Sequence, residues 1–149
     1  MTPVNEPFVR LKLAKSCVTT RTTSSPPETQ RATRERASRG WTSNGSVRCA
    51  FRVEKKHLNG MRNVHGGCYM TFADYCLFAF AAHELQAPAV TVSFACEFLD
   101  AAKEGELIVA TGGITRAGGS LIFLRGTLHS EDRPLFTFSG TIKRIKKRA

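Results

Sequence analysis

Residues 67–85 constrain the fold of this chain most, because they form one long apolar stretch with no proline and no interior glycine. The stretch reads GCYMTFADYCLFAFAAHEL. Its residues favour or tolerate helix, and it is too long for an ordinary strand. Apolar residues occur on every side of the helix and not in one stripe, which indicates a helix wrapped by other elements. The sequence therefore predicts a central helix over residues 67–85.

Several strands are predicted around this helix. From Val90 to Phe98 larger apolar residues alternate with smaller or polar ones, as in a half-buried strand. The two sets are Val90, Val92, Phe94, Cys96 and Phe98, and Thr91, Ser93, Ala95 and Glu97. Turn residues at 117–119 and 131–134 separate three more predicted strands, which are 106–116, 120–129 and 135–145, and residues 46–54 can form a strand before the helix. One helix with turn-linked strands predicts an α+β domain with an antiparallel sheet.

Asp74 is the unusual residue of the predicted helix. Helical spacing places it on the same face as Met70, Thr71, Leu77, Phe78 and Ala81. An ionised carboxylate is costly in such largely apolar surroundings unless it has a partner. Asp74 is therefore either a buried aspartate satisfied by a nearby hydroxyl or a functional carboxylate. The second interpretation is favoured, because isolated buried carboxylates concentrate at functional sites.

The sequence His65-Gly66-Gly67 stands at the start of this helix. Backbone N–H groups of a first helical turn have no partner within the helix and lie at the positive end of its dipole. Gly66 and Gly67 could thus offer donors to a developing oxyanion and let a substrate approach closely. Glycine pairs also mark ordinary turns, and a structural role for His65 is at least as consistent with the sequence as a catalytic one.

The spacing between the helix start and the carboxylate predicts an oligomer. Gly66 and Asp74 are separated by about 12 Å along a helix axis, so one carbonyl group cannot contact both. Two chains that pack their central helices around a two-fold axis would bring the donor of one chain to Asp74 of the other. We therefore expect at least a dimer.

The order of these motifs resembles that of the PaaI-like hotdog-fold acyl-CoA thioesterases. The resemblance rests on Asn59, HGG at 65–67, Asp74, the strand sequence PAVTVSFACEFL, Gly105 and the sequence RAGGSLIF. It covers somewhat more than half of the chain. It implies a hotdog fold, in which an antiparallel sheet wraps a long helix, dimers pair their sheets edge to edge, and dimers usually associate into tetramers.

The resemblance also implies roles for matching residues. Asp74 would be the catalytic carboxylate, acting as general base or nucleophile, and the Gly66 N–H would polarise the thioester carbonyl. Asn59 and His65 would orient the substrate or water, and Thr91 matches a hydroxyl supplied by the next strand. The implied activity is hydrolysis of an acyl-CoA thioester, which needs no metal.

Coenzyme A contacts are implied around residues 98–103 and 116–121. The expected substrate-binding residues are Gly67, Lys103, Arg116, Gly118 and Ser120. Because coenzyme A is part of the substrate, no separate cofactor is expected. A plain alternative is that Lys103 and Arg116 are solvated surface charges.

Residues 1–45 differ in composition from the predicted hotdog domain at 46–149. They are rich in Ser, Thr, Arg and Pro and are predicted to be disordered or irregular, apart from a short helical or extended piece at 6–13. Residues 1–50 hold nine basic and three acidic side chains, and KRIKKR at 143–148 forms a second basic cluster. Basic ends can bind nucleic acid or anionic membranes nonspecifically, but a solvated tail is favoured, and no specific nucleic-acid partner is expected.

Cysteine usage and hydropathy bear on the compartment. The five cysteines, at 17, 49, 68, 76 and 96, show no CxxC spacing, which argues against a disulfide framework or a zinc site. The longest apolar run, 75–82, is too short to span a membrane, and no secretory signal is visible. We expect a cytoplasmic protein, since acidic residues at 6, 28 and 35 disfavour a mitochondrial presequence.

Three functions therefore compete. An acyl-CoA thioesterase is favoured by Asp74, the helix start and the family resemblance. A noncatalytic acyl-CoA-binding hotdog protein is the alternative, because such a pocket can bind its ligand without chemistry. Nucleic-acid binding rests only on the basic ends.

Overall fold

One long helix and six strands make up the part of the chain that the computed structural model describes, namely Val18–Arg21 and residues 47–145. The elements are β1 (Val18–Arg21), β2 (Val47–Arg52), α1 (Gly66–Ala81), β3 (Ala89–Phe98), β4 (Leu107–Ala117), β5 (Leu121–Ser130) and β6 (Arg133–Arg144). A single 3-10 turn at Lys55–His57 follows β2.

The strands form one antiparallel sheet in the order β1-β2-β4-β5-β6-β3. The chain leaves β2 through α1 and then enters β3, which pairs with β6 at the far edge of the sheet. The core lies between α1 and one face of the sheet and includes Leu77, Phe80, Ile122, Phe136 and Phe138. The predicted α+β architecture, with one long helix packed on an antiparallel sheet, is confirmed.

Glycines in the sheet let the helix approach the strands closely. A Cβ atom at Gly112 would lie 2.7 Å from the Phe80 ring, and one at Gly140 would overlap the side chain of Leu77. Both helix residues therefore pack directly against strand backbone. Phe80 also stacks on Phe138, with ring centroids 6.4 Å apart.

The helix α1 is shorter than predicted and is open on one side. It ends at Ala81, four residues before the predicted end, because the following residues turn back and the Glu84 carbonyl accepts hydrogen bonds from Arg144. The sheet packs against α1 as predicted, and in the single chain the residues on the remaining side of the helix are exposed or half-buried. Met70 and Thr71 are exposed and Asp74 is only half-buried, whereas Ala73 and Leu77 are fully buried.

A β-bulge changes the predicted faces of β3. Thr91 pairs with Ile142 and Ser93 pairs with Thr141, so Val92 is an extra residue in the strand. Val92 is 51% exposed, and Val90 is exposed as well. Thr91 is half-buried, like Phe94. The prediction that both valines share the buried face of Phe94 is therefore wrong, because the bulge at Val92 shifts the alternation of faces along the strand.

The ends of the chain are described only in part. Val18–Arg21 pairs with β2, Val18 lying opposite Ala50, and thereby extends the sheet by one strand. The rest of the predicted irregular segment 1–45, including the piece at 6–13, lies outside the described residues, as do residues 146–148 of the basic cluster. Within the described part, no helix combines the length and apolarity needed to cross a membrane.

Candidate active site

Asp74 and Thr91 are brought together by α1 and β3. The Thr91 hydroxyl donates a hydrogen bond to Oδ1 of Asp74 at 2.7 Å. Both residues are half-buried, on the open side of the helix. Among the described residues, no donor binds Oδ2 of Asp74. One carboxylate oxygen is thus fixed by the threonine, while the other is available to a ligand or to water.

His65 caps the start of α1. Its Nδ1 accepts a hydrogen bond from the backbone N–H of Gly67 at 3.0 Å. The backbone N–H of His65 donates to the carbonyl of His57 at 2.8 Å. The structural interpretation of His65 therefore accounts for its contacts. Because the Gly67 N–H is already used by this cap, it is not the free donor that the sequence suggested.

Gly66 offers the donor that Gly67 does not. No described residue accepts a hydrogen bond from its N–H, which lies at the positive end of the helix dipole. A Cβ at this position would lie 2.9 Å from Cε1 of Phe98, so only glycine fits without a shift of that ring. The helix start therefore combines an available N–H group with an aromatic wall.

An open cavity of about 260 Å³ adjoins this helix start. Its lining residues are Asn59, Asn63, Val64, Gly66, Tyr69, Phe98, Leu99, Asp100 and Ala101. Asp74 and Thr91 are not among them. The structure of one chain thus keeps the Gly66 donor and the Asp74 carboxylate apart, as the helical spacing predicts.

Asn59 shapes the loop that precedes this cavity. Its Oδ1 accepts hydrogen bonds from the N–H groups of Met61 at 2.9 Å and Asn63 at 3.1 Å. The oxygen is therefore occupied within the loop. The amide nitrogen has no acceptor among the described residues, so only the nitrogen is available to orient a ligand in the cavity.

Tyr69 fixes the opposite wall, a role that sequence reasoning missed. Its hydroxyl accepts a hydrogen bond from the N–H of Ala102 at 2.8 Å, and the ring is buried. Burial raises the pKa of Tyr69, and the hydrogen bond from Ala102 only partly offsets this effect, so the phenol is protonated at neutral pH. Nothing in the apolar pattern of the helix distinguishes this tyrosine from an ordinary core residue.

Arg133 is a second residue that the sequence did not single out. Its guanidinium bonds Oδ2 of Asp100 at 2.7 Å, the carbonyl of Ala101 at 3.0 Å and Oε2 of Glu106 at 2.5 Å. The hydrogen bond from Arg133 is the main reason that the pKa of Asp100 is lowered. Arg133 thus holds the segment that borders the cavity and keeps its carboxylate charged.

The expected coenzyme A residues occupy two separate places in the fold. The Lys103 ammonium bonds Oδ1 of Asn63 at 2.5 Å, beside the cavity. Arg116 is exposed near the end of β4, and no described residue pairs with its guanidinium. Gly118 and Ser120 form the adjoining turn, where the Gly118 N–H bonds the carbonyl of Leu121 at 2.8 Å and the carbonyl of Ser120 accepts from Arg144 at 2.9 Å.

Cys68 lies in the first turn of the helix but lacks the features of a nucleophile. Its Sγ is 3.8 Å from the carbonyl of His57, to which the thiol donates. Burial raises the pKa of Cys68, which keeps the group protonated at neutral pH. Within residues 47–145, no group of three or more His, Cys, Asp or Glu side chains is placed to hold a metal ion.

Sequence comparison places the chain among known proteins. Residues 61–137, just over half of its 149 residues, match the thioesterase superfamily. Acyl-coenzyme A thioesterase 13 of Homo sapiens is 35% identical over 80 residues, which cover 53% of this chain and 57% of that protein. The chain thus spans little more than half the length of this relative.

Solved structures share the fold at lower identity. PaaI from the phenylacetic acid degradation operon of E. coli has a TM-score of 0.62 at 24% identity, over 68% of this chain and 73% of that one. A hypothetical thioesterase of Streptococcus pneumoniae, solved with coenzyme A, has a TM-score of 0.64 at 20% identity, over 73% of this chain and 85% of that one. The chain therefore belongs to the thioesterase superfamily and has the PaaI-like hotdog fold that its sequence resembles.

Proposed function

We propose that this protein is an acyl-CoA thioesterase, which hydrolyses a thioester to a free acid and coenzyme A. The observation that carries the proposal is the Thr91–Asp74 hydrogen bond on the open face of α1. Membership of the thioesterase superfamily and the similarity to an acyl-coenzyme A thioesterase support it.

In the proposed reaction, Asp74 acts as general base or as nucleophile. As a base, its Oδ2 takes a proton from water while the water oxygen attacks the thioester carbonyl carbon. The carbon–sulfur bond then breaks, and the leaving thiolate takes up a proton to give coenzyme A. Thr91 holds Oδ1, which fixes the carboxylate orientation. An N–H donor at the carbonyl oxygen would stabilise the negative charge that develops there.

The donor is proposed to come from Gly66 of the partner subunit in a homodimer. Gly66 and Asp74 of one chain lie about 12 Å apart along the axis of α1, so one chain cannot bring both groups to one carbonyl. The apolar surface supports association, since β3 lies at the sheet edge and exposes Val90 and Val92, while α1 exposes Met70. Two such dimers could associate into a homotetramer, as the family resemblance implies.

Coenzyme A is proposed to bind through Lys103, Arg116, Gly118 and Ser120. Gly67 would contribute only by letting the substrate approach the backbone closely, because its N–H is used by His65. Asn59 retains one amide nitrogen to orient the substrate, and His65 would act mainly by holding the helix start. The reaction requires no separate cofactor, and we propose the cytoplasm as its location.

Thiol release from a panel of aryl- and alkyl-CoA thioesters tests this function. Asp74→Asn should lower turnover by about 10²-fold to 10⁴-fold, the usual contribution of a general base. Glu97→Gln is a matched control, because Glu97 also accepts a hydrogen bond from a threonine, Thr137, at 2.5 Å, but lies exposed on β3. Wild-type turnover by Asp74→Asn would contradict the proposal. A folded wild-type protein that binds coenzyme A and releases no thiol would favour the noncatalytic binding protein.

A further inference from the structure

Arg144 forms a clasp between two loops that are distant in sequence. Its Nη1 binds the carbonyls of Gly118 and Gly119 in the β4–β5 turn, the latter at 3.3 Å. Its Nη2 binds the carbonyl of Glu84 at 3.1 Å and the Glu84 carboxylate at 3.3 Å. The Arg144 side chain is only 19% exposed. Because Glu84 already neutralises this guanidinium, Arg144 is suited to holding the turn in place and less suited to binding an anion itself.

The clasp fixes the direction of two consecutive peptide groups. In a trans peptide the C=O of one residue and the N–H of the next point in opposite directions. Since Arg144 holds the carbonyls of Gly118 and Gly119, the N–H groups of Gly119 and Ser120 point away from it. No described residue accepts a hydrogen bond from either N–H. The turn therefore presents two adjacent donors that the fold itself does not use.

The surroundings of these donors suit an anion. Gly105 is the only glycine with a positive φ among the described residues, so the backbone at Gly119 does not demand glycine. A Cβ at Gly119 would meet nothing within 4 Å, which leaves open space beside the donors. Ser120 adds an exposed hydroxyl, and Arg116 adds a charge with no partner in the described part of the chain. Successive backbone N–H groups in such turns form anion-binding concavities.

We infer that Arg144 is a positioning residue, which turns the N–H groups of Gly119 and Ser120 outward to bind a phosphate of coenzyme A. The inference rests on the proposed function for the identity of the anion. Arg144 would contact the turn and not the substrate, so its effect should appear only with substrates that carry the phosphates.

Arg144→Lys tests this role, because lysine keeps the charge but cannot bind several carbonyls through a planar fork. We expect KM for a CoA thioester to rise about tenfold, the effect of losing one or two hydrogen bonds, with kcat retained. The N-acetylcysteamine thioester of the same acid, which lacks the phosphates, should be hydrolysed unchanged. Arg52→Lys is the matched control, since Arg52 also binds a backbone carbonyl, that of Gly105 at 2.7 Å, and should change neither reaction.

Gly119→Ala provides a second test that does not depend on the clasp. The added methyl group fits the fold but occupies the space beside the donors, so the melting temperature should be unchanged. Calorimetry should show about tenfold weaker binding of coenzyme A to this variant and to Arg144→Lys. Unchanged coenzyme A affinity in both variants, or an equal loss with both thioesters, would overturn the inference. A wild-type protein that binds coenzyme A but hydrolyses no thioester would contradict the proposed function. The coenzyme A affinities of the two variants would still test the role of Arg144.

Discussion

The Thr91 hydroxyl reaches Oδ1 of Asp74 at 2.7 Å because β3 contains a bulge one residue further on, at Val92. The bulge places Thr91 on the same side of the sheet as Phe94, although the two residues are an odd number of positions apart. In a regular strand they would face opposite sides. The contact at the candidate active site therefore depends on an irregularity in the strand that carries it.

Thr91→Val should lower kcat about tenfold, because the isosteric side chain removes the hydroxyl that orients Asp74. Thr91→Ser, which keeps the hydroxyl, should restore most of the activity. Thiol release under saturating substrate measures both. Thr137→Val removes the equivalent bond to exposed Glu97 and should have no effect. Equal activity in Thr91→Val and wild type would show that this hydrogen bond has no part in turnover.

Gly66→Ala should lower turnover although it retains the backbone N–H, because its methyl group would lie 2.9 Å from the Phe98 ring and displace it. The double variant Gly66→Ala, Phe98→Leu has room for the methyl group and should recover part of the turnover. Thermal unfolding of both proteins separates this effect from loss of the fold. If the second substitution rescues neither activity nor stability, the steric explanation is incorrect.

Tyr69→Phe should lower the free energy of unfolding by about 1–3 kcal/mol, because it leaves the N–H of fully buried Ala102 without its acceptor. Chemical denaturation with urea measures the change. Phe136→Leu is a useful comparison, since it alters packing against the same ring without removing a hydrogen bond. A Tyr69→Phe protein as stable as wild type would mean that water or another group satisfies Ala102.

His57 should make the protein less stable as the pH falls below 6.5. Burial, followed by the nearby charge of Lys56, lowers the pKa of His57 below its ordinary value of 6.5, and Glu54 only partly offsets this. Between the lowered pKa and 6.5, the unfolded chain therefore binds a proton that the native state does not. Stability is retained above this window and lost through it, by up to about 1.4 kcal/mol per pH unit.

His57→Gln provides the check on this pH dependence. Glutamine cannot be protonated, and its side-chain oxygen can replace Nδ1 as acceptor for the N–H of Glu54, which His57 binds at 2.9 Å. Urea unfolding at several pH values should give a flatter profile below 6.5 for the variant. Identical slopes for the two proteins would assign the pH dependence to other groups.

Hydrophobic periodicity was sufficient to predict the helix and strands β2 to β6, because these depend on local patterns, but it did not indicate β1 at Val18–Arg21. It failed at Val92, where the strand phase depends on how β3 pairs with β6. It also placed the end of α1 too late, since Arg144 binds Glu84 from 60 residues away. Tertiary contacts of this kind leave no local pattern to recognise.

The candidate site shows the same division. Asp74 stood out as a charge among apolar neighbours, and the helix start stood out through its glycines. The hydrogen bonds of His65 to Gly67 and of Tyr69 to Ala102 could not be predicted, because they depend on side-chain direction and on a distant segment. Sequence therefore identified the groups that could act, while the structure showed which of them are occupied.

Strand β3 contacts both functional groups of the chain, since Thr91 near one end binds Asp74 and Phe98 at the other end packs on Gly66. Sliding this strand against β6 would displace Thr91, which binds Asp74, and Phe98, which packs on Gly66, at the same time. The Asp74 and Gly66 groups of one chain are thus linked through one strand, and a substitution that loosens the β3–β6 pairing should impair carboxylate orientation and carbonyl binding at the same time.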